Sequence, residues 1–472
     1  MSSITFGQTL QHSNPSLVVL SPDGTKVAST LGQRLIVRAF DDSQIIPGGL
    51  QPCMDKIEYL EWSSDSNLVL CAMYKRGLVQ VFSLTHENWH CRIREGIAGM
   101  VRATWCPDSR HILTFSDYQL HLSIWSLVSQ QLYQIKQVKN GGKDAVAFSP
   151  NGSVMAVASR RDVRDYVGLY NTTNWEVLNE FSTATLDLAS IQWAPDGTSL
   201  LVQDSCLEYA VLFYSAEGTL LRRYQAYEHA LGVKTAAFSP ERGGMLAVGS
   251  YDEMVRLLAP GNWRPVAELN HVHPKQQPGS AIRGKGVETF REVVAGEEEL
   301  EPEHFTLEVS MRKMRERAAR GSSKRFGEVS YITALPNTLP SERPDPNKAN
   351  PKLGVGLISW SHDGKYLATR NDNMPRVLWI WSAEFLSLVA ILQQRDPIRS
   401  AKWSPLEATI AICTGSRRVY FWNTGGPSWV DLPTESEGFD IRYVRWHPDG
   451  ERLLLLTKDR SLMMHWGGSG QS

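Results

Sequence analysis

The chain has 472 residues, a formal charge of -1 with histidine neutral, and a pI near 6.9, with 42% hydrophobic residues. This balance gives no global attraction to nucleic acid or to an anionic membrane, so any such role needs a local patch. The first 20 residues lack a basic start followed by an apolar core, and no apolar run approaches the roughly 18 residues of a membrane span; the expectation is a soluble, non-secreted protein.

In chain order, one short pattern recurs: an apolar residue, usually Trp or Phe, then a small or polar residue and a Pro/Asp/Gly-type turn. It begins at Leu20, Trp62, Trp105, Phe148, Trp193, Phe238, Trp360, Trp403 and Trp446, at intervals of 42, 43, 43, 45, 45, 122, 43 and 43 residues. Proline presets the first corner of such a turn, Asp or Asn bonds its own backbone, and Gly takes the left-handed position. A period near 43 with short apolar runs in each unit marks WD-repeat propeller blades. The fold class expected is therefore an all-β WD-repeat β-propeller of nine units spanning 1–472, in one closed ring, with a single long insertion. Two smaller propellers of four and five blades are the rival, and they would need a second closure that the chain does not offer.

The second unit shows the strands. Ile57 to Trp62 partly alternates, Leu68 to Ala72 is a continuous apolar run, Leu78 to Ser83 ends at an aromatic position, and a fourth strand follows near Trp89 to Ile93. Tryptophans before the turns and at the ends of third strands repeat from unit to unit, which makes them packing residues between blades rather than a ligand cage. After Trp466 the ninth unit has no fourth strand, whereas Ile4 to Leu10 precedes the first unit without a partner. That segment is expected to complete the last blade and close the ring, removing open sheet edges.

The long interval, 271–352, breaks the composition. An acidic run (Glu297 to Glu303) is followed by a basic stretch (Arg312, Lys313, Arg315, Arg317, Arg320, Lys324, Arg325) and a proline-rich segment. Opposed charge blocks and proline predict a largely disordered insertion with one short helix around Glu308 to Arg320, serving as a spacer or as a docking segment.

Sites for chemistry are sparse. The chain has no phosphate loop, dinucleotide fingerprint, nucleophile elbow or His-Glu-x-x-His, so the expectation is a protein that is not an enzyme and takes no cofactor. His86, His90 and Cys91, or His271 and His273, could supply metal donors, but neither set offers four; these histidines are expected to be exposed loop residues and no metal is expected. The six cysteines form no Cys-x-x-Cys pair and read as buried free thiols of a reducing compartment.

Loops joining second to third strands all emerge on one face of a propeller. Here they carry Tyr74, Lys75, Arg76, Arg160, Arg161, Arg164, Asp165, Arg370, Asp372, Arg417 and Arg418, with further tyrosines between. Arginine and tyrosine anchor protein interfaces, so these residues are the candidate partner-binding ring. Reversing Arg160, Arg161 and Arg164 to Glu should then abolish partner capture and leave the melting temperature alone.

Several longer strings are more specific than the repeat itself. Cys71 to Gln80 (CAMYKRGLVQ), Arg160 to Val167 (RRDVRDYV), Tyr224 to Gly232 (YQAYEHALG), Leu367 to Asn373 (LATRNDN) and Ala411 to Gly415 (AICTG) resemble the spindle-pole family known as WD-repeat protein eight, from the first repeat to the last and including the position of the insertion. The resemblance implies a non-enzymatic adaptor at the centrosome or spindle pole body, cytoplasmic and cytoskeletal. It would act with a coiled-coil anchoring protein and, in fungi, a minus-end-directed kinesin to hold microtubule minus ends, and would support cilium formation in animal relatives. It implies no membrane, only indirect microtubule contact, and no nucleic acid. Trp-Asp dipeptides are replaced by Trp125-Ser126, Trp381-Ser382 and Trp422-Asn423, which puts the usual Asp-His-Ser/Thr-Trp network of such blades in doubt. The alternative is an RNA- or ribosome-associated propeller resembling the large-ring translation initiation factors, which would require a broad basic stripe.

Overall fold

The computed structural model describes residues 4–86, 89–139, 143–241, 244–271, 287–294, 329–332, 339–345, 347, 351–433 and 438–466. Among the described residues nine sheets succeed one another along the chain, eight of four antiparallel strands and one of six in which a single pairing is parallel. Strands a to d run from the axis outward in each blade, and strands a of neighbouring blades touch around the axis.

The segment Thr5–Gln11 pairs antiparallel with Arg460–His465, with Thr5 opposite His465 and Gln11 opposite Arg460. It is the missing outer strand of blade 9, so the ends of the chain latch each other. Further bonds cross the same seam: His447 Nε2 donates to the Gly24 carbonyl at 2.7 Å, and Arg452 pairs with Asp41 while lying over the Phe40 ring at 4.8 Å.

The core is a set of nine apolar seams, one between each pair of adjacent blades and the last between blades 9 and 1 (Val18, Val27, Phe40, Leu454, Leu456). One ring, not two, follows from this. Strands b and c are buried on both faces, as Leu68–Met73 and Leu78–Ser83 show, which is why those runs are continuously apolar. The tryptophans before the turns both pack in the seams and tie them. Trp62 Nε1 donates to the Val19 carbonyl at 3.0 Å, Trp403 to Ser359 at 2.9 Å and Trp446 to Lys402 at 2.8 Å, each bond reaching the strand a of the preceding blade.

On the face carrying the a–b turns, one hydrogen-bond pattern repeats. Ser21, Ser63, Ser149 and Ser361 each donate to the Asp or Asn two residues on, and accept from the backbone N–H five residues on. Adjacent turns are also linked: Asp23 N donates to Ser66 Oγ at 3.1 Å and Asp65 N to Ser109 Oγ at 3.2 Å.

Within the insertion, Glu288–Val294 pairs parallel with strand d of blade 7 (Ser387–Gln393), and Val329–Ile332 pairs with Glu288–Val294. This added hairpin also holds blade 8, since Tyr420 donates to Glu292 at 2.7 Å and Tyr331 lies 5.9 Å from the Trp429 ring. Its residues Phe290 and Tyr331 cover the apolar seam between the two blades, a burial that charge-block reasoning does not see. The helix expected around Glu308 to Arg320 lies outside the described residues.

The expectation for His271 needs correction. This residue is buried, not exposed. Its Nδ1–H donates to the Glu253 carbonyl at 2.6 Å, Thr369 Oγ1 donates to Nε2 at 2.8 Å, and Trp381 Nε1 donates to Thr369 Oγ1 at 2.8 Å. A His-Thr-Trp chain therefore survives in blade 7 without the Trp-Asp dipeptide. Burial pushes the imidazole down to about 4, in keeping with a neutral ring that donates at one nitrogen and accepts at the other. In blade 3 Glu95 takes the corresponding place, accepting from Thr114 and, with Thr114 itself, from Trp125 Nε1.

Candidate functional site: the face of the b–c and d–a loops

Ring connectivity brings the b–c loops and the d–a loops to one face. Of the residues expected there, most brace the fold. Arg76 Nε is 2.6 Å from Asp55, and Arg160 bonds Asp187 and lies 3.8 Å from Asp165. Arg161 pairs with Glu180 and sits over the Tyr166 ring at 4.7 Å. Asp165 is buried, taking Lys139 Nζ at 2.9 Å and the Leu188 N–H at 2.6 Å, so it joins two d–a loops. Arg370 donates to the Ile398 carbonyl at 2.6 Å and meets Asp372 at 3.4 Å, while Asp372 also holds Lys234 at 2.8 Å. Arg417 donates to the Pro433 carbonyl at 2.8 Å, and the buried Arg418 pairs with Asp431 on the outer strand of blade 8. Tyr74 is half-buried, its ring 6.4 Å from that of Tyr59 and its phenol pushed up by burial to about 12.

Exposed ion pairs of this kind contribute little to stability, but a guanidinium already held by a carboxylate or carbonyl is a poor anchor for a partner. Lys75 and Arg164 remain exposed and have no carboxylate partner among the described residues.

What crowns the same face over blades 3 to 5 is apolar. Ile97, Tyr118, Leu120, Val163, Leu186 and Leu207 are exposed large side chains on its loops. Two are held in a backbone conformation that works against them. Tyr118 has φ 55° and is 85% exposed; Val163 has φ 65° and is 82% exposed. Asp162 has φ 49°, so Asp162 and Val163 form the centre of a two-residue hairpin turn, where Asn-Gly is the usual choice because both positions need positive φ. A β-branched residue there costs about 1–2 kcal/mol, and Val163 has no burial to offset it. Strain concentrated on exposed apolar tips points to use by a partner. The sequence did carry a signal for it, Arg161-Asp162-Val163-Arg164, where a bulky apolar residue stands at a tip that favours glycine.

No group of three or more His, Cys, Asp or Glu side chains converges as a metal site among the described residues. His86 and His90 are exposed and Cys91 partly buried; His273 lies outside the described residues. Cys53, Cys71, Cys106 and Cys413 are buried free thiols, whereas Cys206 is exposed on the b–c loop of blade 5.

Comparison with known proteins then places the chain. The mouse WD repeat-containing protein WRAP73 is 40% identical over 440 residues, covering 93% of this chain and 91% of that protein. The chain belongs to the WRAP73 family of WD-repeat proteins. Within the family's wider surroundings, an uncharacterised WD-repeat protein of Schizosaccharomyces pombe is 22% identical over 83% of this chain and 77% of its own length. No family model matches. Among solved structures, the C-terminal WD40 domain of Sif2 aligns over 87% of this chain and 96% of that domain, with a TM-score of 0.48 and 12% identity. A nine-bladed WD-repeat propeller of the WRAP73 family has the architecture of a protein-interaction scaffold, and WD propellers act in general as non-enzymatic platforms.

Proposed function

We propose that the protein is a scaffold of a microtubule-organising centre, the centrosome or spindle pole body, where its b–c face docks a coiled-coil anchoring protein and so helps to hold microtubule minus ends, with a minus-end-directed kinesin as a further partner. One observation carries the docking part of this reading: the strained, exposed apolar crest of Tyr118 and Val163 with Ile97, Leu186 and Leu207 around it. The spindle-pole setting is what membership of the family supports. Apolar side chains at a coiled-coil surface match such a crest better than the phosphates of an RNA do, because most of the face's arginines are already paired and phosphate binding needs clustered free cations.

The test is a Tyr118→Asp, Val163→Asp double variant, expressed with a fluorescent tag in cells lacking the native protein. Co-purification of the coiled-coil protein should fall about a hundredfold, equivalent to ~2.7 kcal/mol, and the tag should leave the pole, with the melting temperature of the purified protein not lowered. Wild-type protein that stays away from the pole throughout the cell cycle and recovers ribosomal proteins would overturn the reading.

A further inference from the structure

Across the same face, blades 8 and 9 present the opposite chemistry. A recess of about 540 Å³ opens between their loops, lined by Asp396, Arg399, Thr414, Asp440, Arg442 and Tyr443. It adjoins, at Tyr443, a second recess of about 380 Å³ that runs along strands a of blades 8 and 9 and reaches Pro15 and Ser16 of blade 1. This lower part holds Lys402 and Arg445 and no carboxylate.

None of Arg399, Lys402, Arg442 and Arg445 has a carboxylate partner among the described residues, in contrast to the paired arginines of the neighbouring loops. Among the described residues, the only hydrogen bond of the Arg445 guanidinium is to the Ser16 carbonyl, at 3.4 Å. Burial lowers its pKa, as expected of a guanidinium taken partly out of water with no opposing charge. An uncompensated cation in a cavity wall is costly, and a bound anion offsets that cost.

We propose that these two recesses form a single binding site for an acidic, extended peptide segment, whose side-chain carboxylates meet Arg399 and Arg442 at the mouth and Lys402 and Arg445 within. Guanidinium groups take carboxylates through paired N–H donors. The lining also explains why the ligand is a peptide rather than a nucleic acid. Asp396 and Asp440 stand at the mouth beside the two arginines; they oppose any anion placed directly on them, but a peptide carries backbone N–H groups that can donate to them between its carboxylates, whereas a phosphate backbone carries a charge at every unit and no N–H donor. The half-exposed Tyr443 ring supplies an apolar surface between the two pairs of cations. None of these residues belongs to the apolar crest, so this site stands or falls separately from the docking described above.

The experiment is fluorescence anisotropy on the full chain with labelled hexaglutamate, and with hexaglutamine, hexalysine and a single-stranded RNA hexamer as comparison ligands. Hexaglutamate should bind, weaken as salt is raised, and lose at least tenfold in affinity in an Arg399→Ala, Arg442→Ala variant. Both arginines are exposed, so this variant keeps its fold; Lys402→Met, also at an exposed position, should weaken binding independently. The Tyr118→Asp, Val163→Asp variant should bind hexaglutamate as the wild type does. Equal binding of hexaglutamine, tighter binding of the RNA, or unchanged affinity in both cation variants would overturn the proposal.

Discussion

The two faces of the ring are built on different terms. On the a–b face four blades repeat the same serine-centred turn, at Ser21, Ser63, Ser149 and Ser361, and the turns of blades 1 to 3 bond one another. On the b–c face no two loops are alike. Tyr118 and Val163 project from strained tips, Asp165 and Asp204 are buried as loop clamps, and blades 8 and 9 surround a cationic recess. A repeated unit can specify the first face because each turn needs only its own residues and its neighbour's. The second is freed from repetition, and loops released from the scaffold's demands are where binding residues accumulate.

That contrast can be broken or sharpened by experiment, and the largest effect expected comes from an exception to it. His271 lies on a d–a loop of the b–c face yet is structural. Between pH 6.5 and about 4 the folded state, with its depressed imidazole, holds fewer protons than the unfolded chain. Stability should therefore be lost as pH falls through that window, by on the order of 3 kcal/mol. Denaturant unfolding of the wild type and of His271→Gln checks this: the substitution should flatten that part of the profile. A wild-type stability independent of pH over the window would place His271 with the functional residues of its face.

Next in size is a change on the repetitive face. Gly24 has φ 76°, and an added Cβ would come within 2.4 Å of His447 Nε2. Gly24→Ala should cost about 2 kcal/mol, from left-handed strain together with the displaced histidine at the 9/1 seam, and should leave partner capture intact. Loss of capture at unchanged stability would contradict the division of labour between the faces.

The smallest effect is the most discriminating. Val163→Gly removes the side chain and the strain together, so it should raise stability by about 1 kcal/mol while weakening capture of the coiled-coil partner. A stability gain with undiminished capture would show that Val163 is an unrelieved fault rather than a docking residue. The arginine reversal sharpens along the same line. Arg160 and Arg161 are held by Asp187 and Glu180, so reversing them disturbs internal pairs, and the cleaner charge test is Arg164→Glu alone.

The regular spacing of the turn pattern makes the propeller, its nine units and the latch at Thr5–Gln11 legible in the sequence alone. Those features are local or periodic: a turn is written within five residues, and a strand lacking a partner at each end of the chain can be paired by elimination. The charged ring was legible only as a list of residues on one face. Arg161 and Glu180, or Arg370 and the Ile398 carbonyl, come from different loops, and whether a guanidinium is bound or free depends on which loops the blades bring together. The packing role of the insertion's strands was hidden for the same reason, since Phe290 and Tyr331 gain their value from a seam that belongs to blades 7 and 8.

By itself, then, the order of residues determined the repeat, the closure and the family, because hydrophobic periodicity and turn chemistry act over short distances. Only the folded ring decided that His271 is a neutral link in a buried chain, that most of the arginines are already engaged, and that Tyr118 and Val163 on one side and Arg399, Lys402, Arg442 and Arg445 on the other are left with something to bind. Burial and electrostatic pairing depend on neighbours tens to hundreds of residues away along the chain, and those neighbours exist only once the nine blades have closed.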